Sequence, residues 1–256
     1  MARQRRHNRT RRRRGRFRAL YQLLAIVAAV VGIAVGCIVF FRVQTVVVEG
    51  NARYTAEEIV SVSQILVGDN LVLLDRGDIA HTLRSGLPYI ESVSIRRALP
   101  DSVLITVKES KAAAALPIGE SWWLINHSGK LLESLSAPGS HALLTGFTPL
   151  SPAAGEMALL PEDQTIRWDY AMEFLNTLEA QGLSDGLLEL DCSTAGTFTA
   201  LYEGDFTLLF PSTGDFSEYL AMFKLAITEE LGENETGVFD FTHYDTTGYV
   251  YFRPDN

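Results

Sequence analysis

The sequence predicts an α+β protein hung from one membrane helix, on three observations. A charge-free apolar run, ALYQLLAIVAAVVGIAVGCIVFF, lies between Arg18 and Arg42. After it, alternating β-branched runs and stripes of period 3.6 come in the order strand, helix, helix, strand, strand. The remaining half carries more strand-like runs and two amphipathic stripes, which suggests a second, antiparallel β-rich domain with two helices.

Residues 1–18 hold ten arginines and no acid, although the whole chain of 256 residues sums to −9. Twelve basic residues therefore face all thirty-one acidic ones beyond Arg18. Such a tail buries no core and reads as a disordered, solvated arm. Its expected role is topology and contact with anionic lipid through Arg11, Arg12, Arg13, Arg14, Arg16 and Arg18. Nucleic-acid binding is not expected, because no aromatic interleaves the arginines before Phe17. The twenty-three residues 19–41 span roughly 34 Å as a helix, enough to cross a bilayer core with some tilt. A cleaved signal would have a shorter apolar region ending in a small-residue site, whereas this run continues through Ile38, Val39, Phe40 and Phe41. The same continuation argues against lipidation at Cys37. The arginine excess puts the N-terminus in the cytoplasm and everything after Phe41 outside.

The outer part starts with VQTVVVE and Gly50-Asn51, a strand and a turn. Val46 and Val48 share one face and are expected inward. TAEE at 55–58 is a capping box that starts a helix with Ile59 and Val60 on one face. Asp75 caps a second helix, in which Ile79, Leu83 and Leu87 recur until Pro88. ESVSIRRALPDSVLITVKE then reads as a hairpin turning at Leu99-Pro100-Asp101, with Val93, Ile95, Val103, Ile105 and Val107 inward. SWWLINHSGKLLES is another hairpin, turning at Asn126–Gly129. Residues 162–181 form a helix whose stripe is read as Ile166, Tyr170, Phe174 and Leu178, ended by Gly182. LLELDC and TFTALYEGDFTLLFP follow as strands. A helix over 215–231 points Phe216, Leu220, Phe223 and Ile227 inward. GVFDFTHYDTTGYVYFRPDN closes the chain as two aromatic strands.

The basic tail, the single span, VVVEGN with TAEEI downstream, LPYIESVSIRRALPDSVLITVKES and WWLINHSGKLLE together resemble the FtsQ/DivIB family of bacterial cell-division proteins, and the strand-helix-helix-strand-strand block resembles its POTRA module. The resemblance divides the chain into a cytoplasmic tail (1–18), a transmembrane helix (19–41), a POTRA-like domain (42–111) and a C-terminal β-rich domain (112–256). It implies a non-enzymatic scaffold at the division septum that binds FtsB/DivIC-like and FtsL-like membrane partners and couples division-site assembly to septal peptidoglycan synthesis. It points to the terminal strand, Tyr249, Val250, Tyr251 and Phe252, as a sheet edge open to strand addition, and to the helix around Tyr219, Phe223 and Lys224. Were the terminal strand interior, its aromatics would pack a core instead.

The residues themselves suggest little chemistry. His81, His127, His141 and His243 have no metal-ligand spacing, and no nucleophile elbow, P-loop or His-Glu-x-x-His occurs, so no catalytic residue, metal, cofactor or small-molecule substrate is expected. Trp122 and Trp123 point to opposite faces of a strand, so at most one serves a groove. A membrane-tethered enzyme or binder acting on cell-wall polymer is the alternative.

Overall fold

The computed structural model describes residues 13–230 and 235–255. Helix α1 covers Arg13–Phe40. It takes in the last six residues of the segment expected to be a disordered arm; arginine is a good helix former, so the helix of the apolar run continues backward through them. Residues 1–12 lie outside the described residues. The window Leu20–Cys37 has mean hydropathy 2.3 and is unburied, which is compatible with a single membrane span.

Next come β1 (Thr45–Glu49), α2 (Ala56–Ser63), α3 (Arg76–Gly86), β2 (Ile90–Ala98) and β3 (Ser102–Glu109), the order read from the sequence. These strands form one sheet in the order β1-β3-β2, with β1 parallel to β3. The capping box is present: the Thr55 hydroxyl accepts from the Glu58 amide at 3.2 Å while the Glu58 carboxylate accepts from the Thr55 amide at 2.8 Å. Val46 and Val48 are half-buried and Val47 exposed, as the alternation suggests. Gly50 adopts φ +82° against the Val107 carbonyl, where a Cβ would collide.

The second half holds β4 (Ala114–Ile118), β5 (Ser121–Ile125), β6 (Leu131–Leu135), β7 (Leu143–Thr145), α4 (Glu162–Gln181), β8 (Leu187–Asp191), β9 (Thr197–Tyr202), β10 (Phe206–Pro211), α5 (Phe216–Leu225), β11 (Gly237–Asp240), α6 (Tyr244–Thr247) and β12 (Tyr251–Pro254). All nine of its strands join one sheet, in the order β12-β11-β10-β9-β8-β7-β4-β5-β6. This sheet is mixed, not antiparallel as the sequence suggested: β4 with β7, β7 with β8, and β10 with β11 run parallel. In each case a long connection returns the chain in the same direction, and for two of them it is α4 or α5. After α5, residues 226–230 widen into one π-helical turn, so the last helix read from the sequence ends early as α-helix.

The core lies between one face of this sheet and the two helices. Phe198, Ala200, Tyr202, Phe206, Leu208 and Phe210 alternate inward from β9 and β10. α5 buries Phe216, Tyr219, Leu220 and Phe223. The buried stripe of α4 is Trp168, Ala171, Met172, Phe174, Leu175 and Leu178. Ile166, placed on that stripe from the sequence, is 72% exposed. The stripe runs through positions three and four apart from Trp168, and Ile166 falls outside it. Trp123 packs against the core and Trp122 is half-buried.

Contacts group the chain into two compact units, Met1–Ala80 with Ser94–Val107, and His81–Val93 with Lys108–Asn256.

Candidate partner-binding edge

β12 is the outermost strand of the nine-stranded sheet. It pairs antiparallel with β11, setting Gly237 opposite Pro254, Val238 opposite Arg253, Phe239 opposite Phe252 and Asp240 opposite Tyr251. The bonding phase follows from three backbone bonds. Asp255 N–H donates to the Thr236 carbonyl at 2.9 Å, so Thr236 and Asp255 form a hydrogen-bonded pair. Gly237 and Phe241 N–H donate the other way, to the Asp205 and Leu209 carbonyls beside β10, at 3.0 and 2.8 Å. In an antiparallel ladder bonded pairs alternate, so Arg253 and Tyr251 turn their backbone toward β11 while Phe252 and Pro254 turn theirs outward. Proline has no N–H, so one outward position cannot donate. The usable outer template is the Phe252 N–H and C=O, the Pro254 C=O, and Val250 where the chain approaches the strand.

Side chains alternate with the same period. Tyr251 is 50% exposed, and Tyr249, which precedes the strand, is 71% exposed. Phe252 and Val250 pack on the core, with the Phe252 ring 4.7 Å from that of Phe239. The strand thus begins at Tyr251, two residues later than the sequence suggested, because α6 and Gly248, at φ +69°, occupy the preceding corner. Close approach at the other end depends on Gly237, where a Cβ would collide with the Arg253 carbonyl and the Phe252 ring.

Tyr219 and Phe223 do not reach a surface. Both are fully buried, so they support the edge without presenting a face to a partner. The Tyr219 hydroxyl donates to Asp245 Oδ1 at 2.7 Å, which ties α5 to α6. Burial first, and then that bond, push its phenol above the usual tyrosine range. The Tyr244 hydroxyl donates to Glu218 Oε1 at 2.7 Å across the same corner. Lys224 is exposed but its Nζ donates to the Gln181 carbonyl at 2.5 Å. Tyr219 lies three residues after Phe216 and four before Phe223, so the apolar period itself marks it as inward. Asp240 is a site residue the sequence reading did not single out. Desolvation raises its pKa, but the Thr242 hydroxyl and amide, at 2.5 and 3.0 Å, and then Arg253 and His243, outweigh that and hold the carboxyl below the usual range.

Arg13, Arg14, Arg16 and Arg18 fall within α1, and Arg11 and Arg12 lie outside the described residues. Among the described residues, no three His, Cys, Asp or Glu gather as metal ligands would. His127 Nε2 lies 3.3 Å from Glu179 Oε2, in an open polar cleft of about 400 Å³ that also holds Lys108, Lys111 and Asn176.

Residues 41–110 match the POTRA domain, FtsQ-type. The chain is 33% identical over 94 residues to the cell division protein DivIB of Clostridium acetobutylicum, covering 37% of each protein. It is 30% identical over 123 residues to the cell division protein FtsQ of Anaeromyxobacter sp. strain K, covering 47% of this chain and 41% of that one. These matches thus span about two fifths of the curated relatives' length. A solved extracytoplasmic domain of DivIB from Geobacillus stearothermophilus aligns over 49% of this chain and 99% of its own, at 12% identity and a TM-score of 0.31. The chain is thus similar over part of its length to the FtsQ/DivIB cell division proteins and matches the POTRA domain of the FtsQ type over residues 41–110.

Proposed function

We propose that this protein is a non-enzymatic, single-pass scaffold of the bacterial division site. Its N-terminus is cytoplasmic, α1 spans the membrane, and a POTRA-like domain (42–111) and a β-rich domain (112–256) work outside. The β12 edge receives a strand from an FtsB/DivIC-like partner, and an FtsL-like partner joins the same complex, linking division-site assembly to septal peptidoglycan synthesis. The arginine tail, including Arg11 to Arg18, lies against anionic lipid. Supporting the division role are the names of the relatives; supporting the mechanism is one observation, the outward backbone of Phe252 beside exposed Tyr249 and Tyr251. Main-chain bonds on such an edge supply affinity, and alternate side chains supply specificity.

Deleting Gly248–Asn256 and co-purifying the full membrane protein with both partners tests this. Loss of the FtsB/DivIC-like partner is expected; retention of both partners at the wild-type level rejects strand addition.

A second reading, a tethered enzyme acting on wall polymer, rests on the His127–Glu179 pair in its polar cleft. It requires that His127→Ala abolish a wall-cleaving or wall-binding activity while leaving the fold intact.

A further inference from the structure

Besides α1, the membrane-proximal unit has six large apolar side chains that are exposed among its described residues: Val47, Leu66, Val67, Val72, Leu73 and Leu99. Five of them sit on two loops, and both loops are bonded to the chain that leaves α1. From the α2–α3 loop, Leu71 N–H donates to the Phe41 carbonyl at 2.9 Å, Gly68 N–H donates to the Val43 carbonyl at 2.8 Å, and the Asp69 carbonyl accepts from Val43 N–H at 2.8 Å. From the β2–β3 turn, the Asp101 carbonyl accepts from Gln44 N–H at 2.8 Å. Arg97 Nη2, near the end of β2, donates to the Leu74 carbonyl of the first loop at 2.8 Å.

The loops are built to hold these side chains out. Ile65 and Leu71 are buried beneath, while Leu66, Val67 and Leu73 are 66%, 79% and 70% exposed and Leu99 is 64% exposed. Asp69 Oδ2 accepts from Leu66 N–H, and Asn70 Oδ1 accepts from Val72 and Leu73 N–H, which fixes the local turns. The acids here face the chain: Asp69 as above, Asp75 accepting from Gly77 and Asp78 N–H, and Asp101 accepting from the Ser102 hydroxyl. Exposed Arg76 follows the first loop in the chain, and exposed Arg42 bridges to Asn70 on that loop.

We infer that these two loops are a second membrane contact, with Leu66, Val67, Leu73 and Leu99 seated in the bilayer interface. The inference rests on α1 spanning the membrane. If Phe41 stands at the end of the span, a loop bonded to Phe41 and Val43 has its tip within roughly 10 Å of it, two or three Cα steps. The headgroup region on each side of the hydrocarbon is itself roughly 5 to 8 Å deep. Apolar side chains at that depth leave water for lipid, and arginines beside them reach phosphates by snorkelling. Two such contacts, helix and loops, would restrict the tilt of the unit that α1 alone leaves free.

The test uses the full chain with Cys37→Ala, reconstituted in phosphatidylcholine vesicles with some phosphatidylglycerol. Cys192 is fully buried, so a thiol-reactive bimane labels only an introduced cysteine. Val67→Cys and Leu99→Cys should show blue-shifted emission that lipids brominated near the headgroup quench. The label at Glu57→Cys, exposed in the first turn of α2 beyond the other end of β1, should be unaffected. If the protein floats with vesicles and resists alkaline extraction, yet the Val67 and Leu99 labels behave like the Glu57 label, the inference is wrong and the span stands. If the protein does not float, the span fails and the inference with it.

Discussion

Gly237 and Asp240 hold the terminal strand at two points, one by lacking a side chain and one by carrying charge. Gly237→Ala should push β12 away from β11, because the new Cβ meets backbone on the Arg253 side and cannot be accommodated by a rotamer change. Amide exchange at Tyr251 and Arg253 should then accelerate while β9 and β10 stay protected. Asp240 makes the corner pH-sensitive. Its folded-state pKa lies below the unfolded value of about 3.9, so its stabilisation is complete above roughly pH 5 and is lost as pH falls through the lowered folded value. Asp240→Asn should remove that acid dependence from the exchange of the Thr242 amide. Phe223 is the opposite kind of residue: buried against Tyr202, Phe206 and Phe239, it should cost about 3 to 5 kcal/mol on truncation to alanine, measured by denaturant unfolding. A partner affinity that falls without any loss of stability in Phe223→Ala would contradict its placement in the core.

At the scale of elements, what was legible followed from local pattern. The capping box at Thr55, the Leu99–Asp101 turn and the alternation of β3 mark their elements because each is written within a few residues, and the strand-helix-helix-strand-strand order came with them. The parallel pairings were not legible, since which strands meet after a helical crossover depends on contacts far apart in sequence. The same holds for the edge. YVYF reads as a strand from its residues, but only the sheet order puts β12 outermost, and only the bonding phase says that Phe252, rather than Tyr251, offers its amide outward. A proline at Tyr251 would therefore break the ladder to β11 and disturb the fold itself. N-methylation of the Phe252 amide, introduced by semisynthesis of the last residues, removes the outer donor and keeps the ring on Phe239. It should leave thermal unfolding unchanged and weaken partner capture about tenfold, in line with roughly 1 to 1.5 kcal/mol for one such bond. Ile166, read as inward, lies at the margin of an amphipathic stripe that stays undecided until the sheet beneath it is known, whereas Tyr219 was read as partner-facing from the resemblance, against its own apolar period.

The whole molecule joins an apolar helix compatible with a membrane span, a segment matching the FtsQ-type POTRA domain and a sheet that ends on β12. The proposed function turns on one event, the addition of a division partner's strand to β12. Hydrogen exchange on the full chain in nanodiscs, with and without the extracytoplasmic segment of an FtsB/DivIC-like partner from the same cell, reads this amide by amide. Phe252 and Val250, exchanging freely alone, should become protected when the partner binds, while Tyr251 and Arg253 are protected in both states. Saturating partner binding that leaves the Phe252 and Val250 amides unprotected would contradict it.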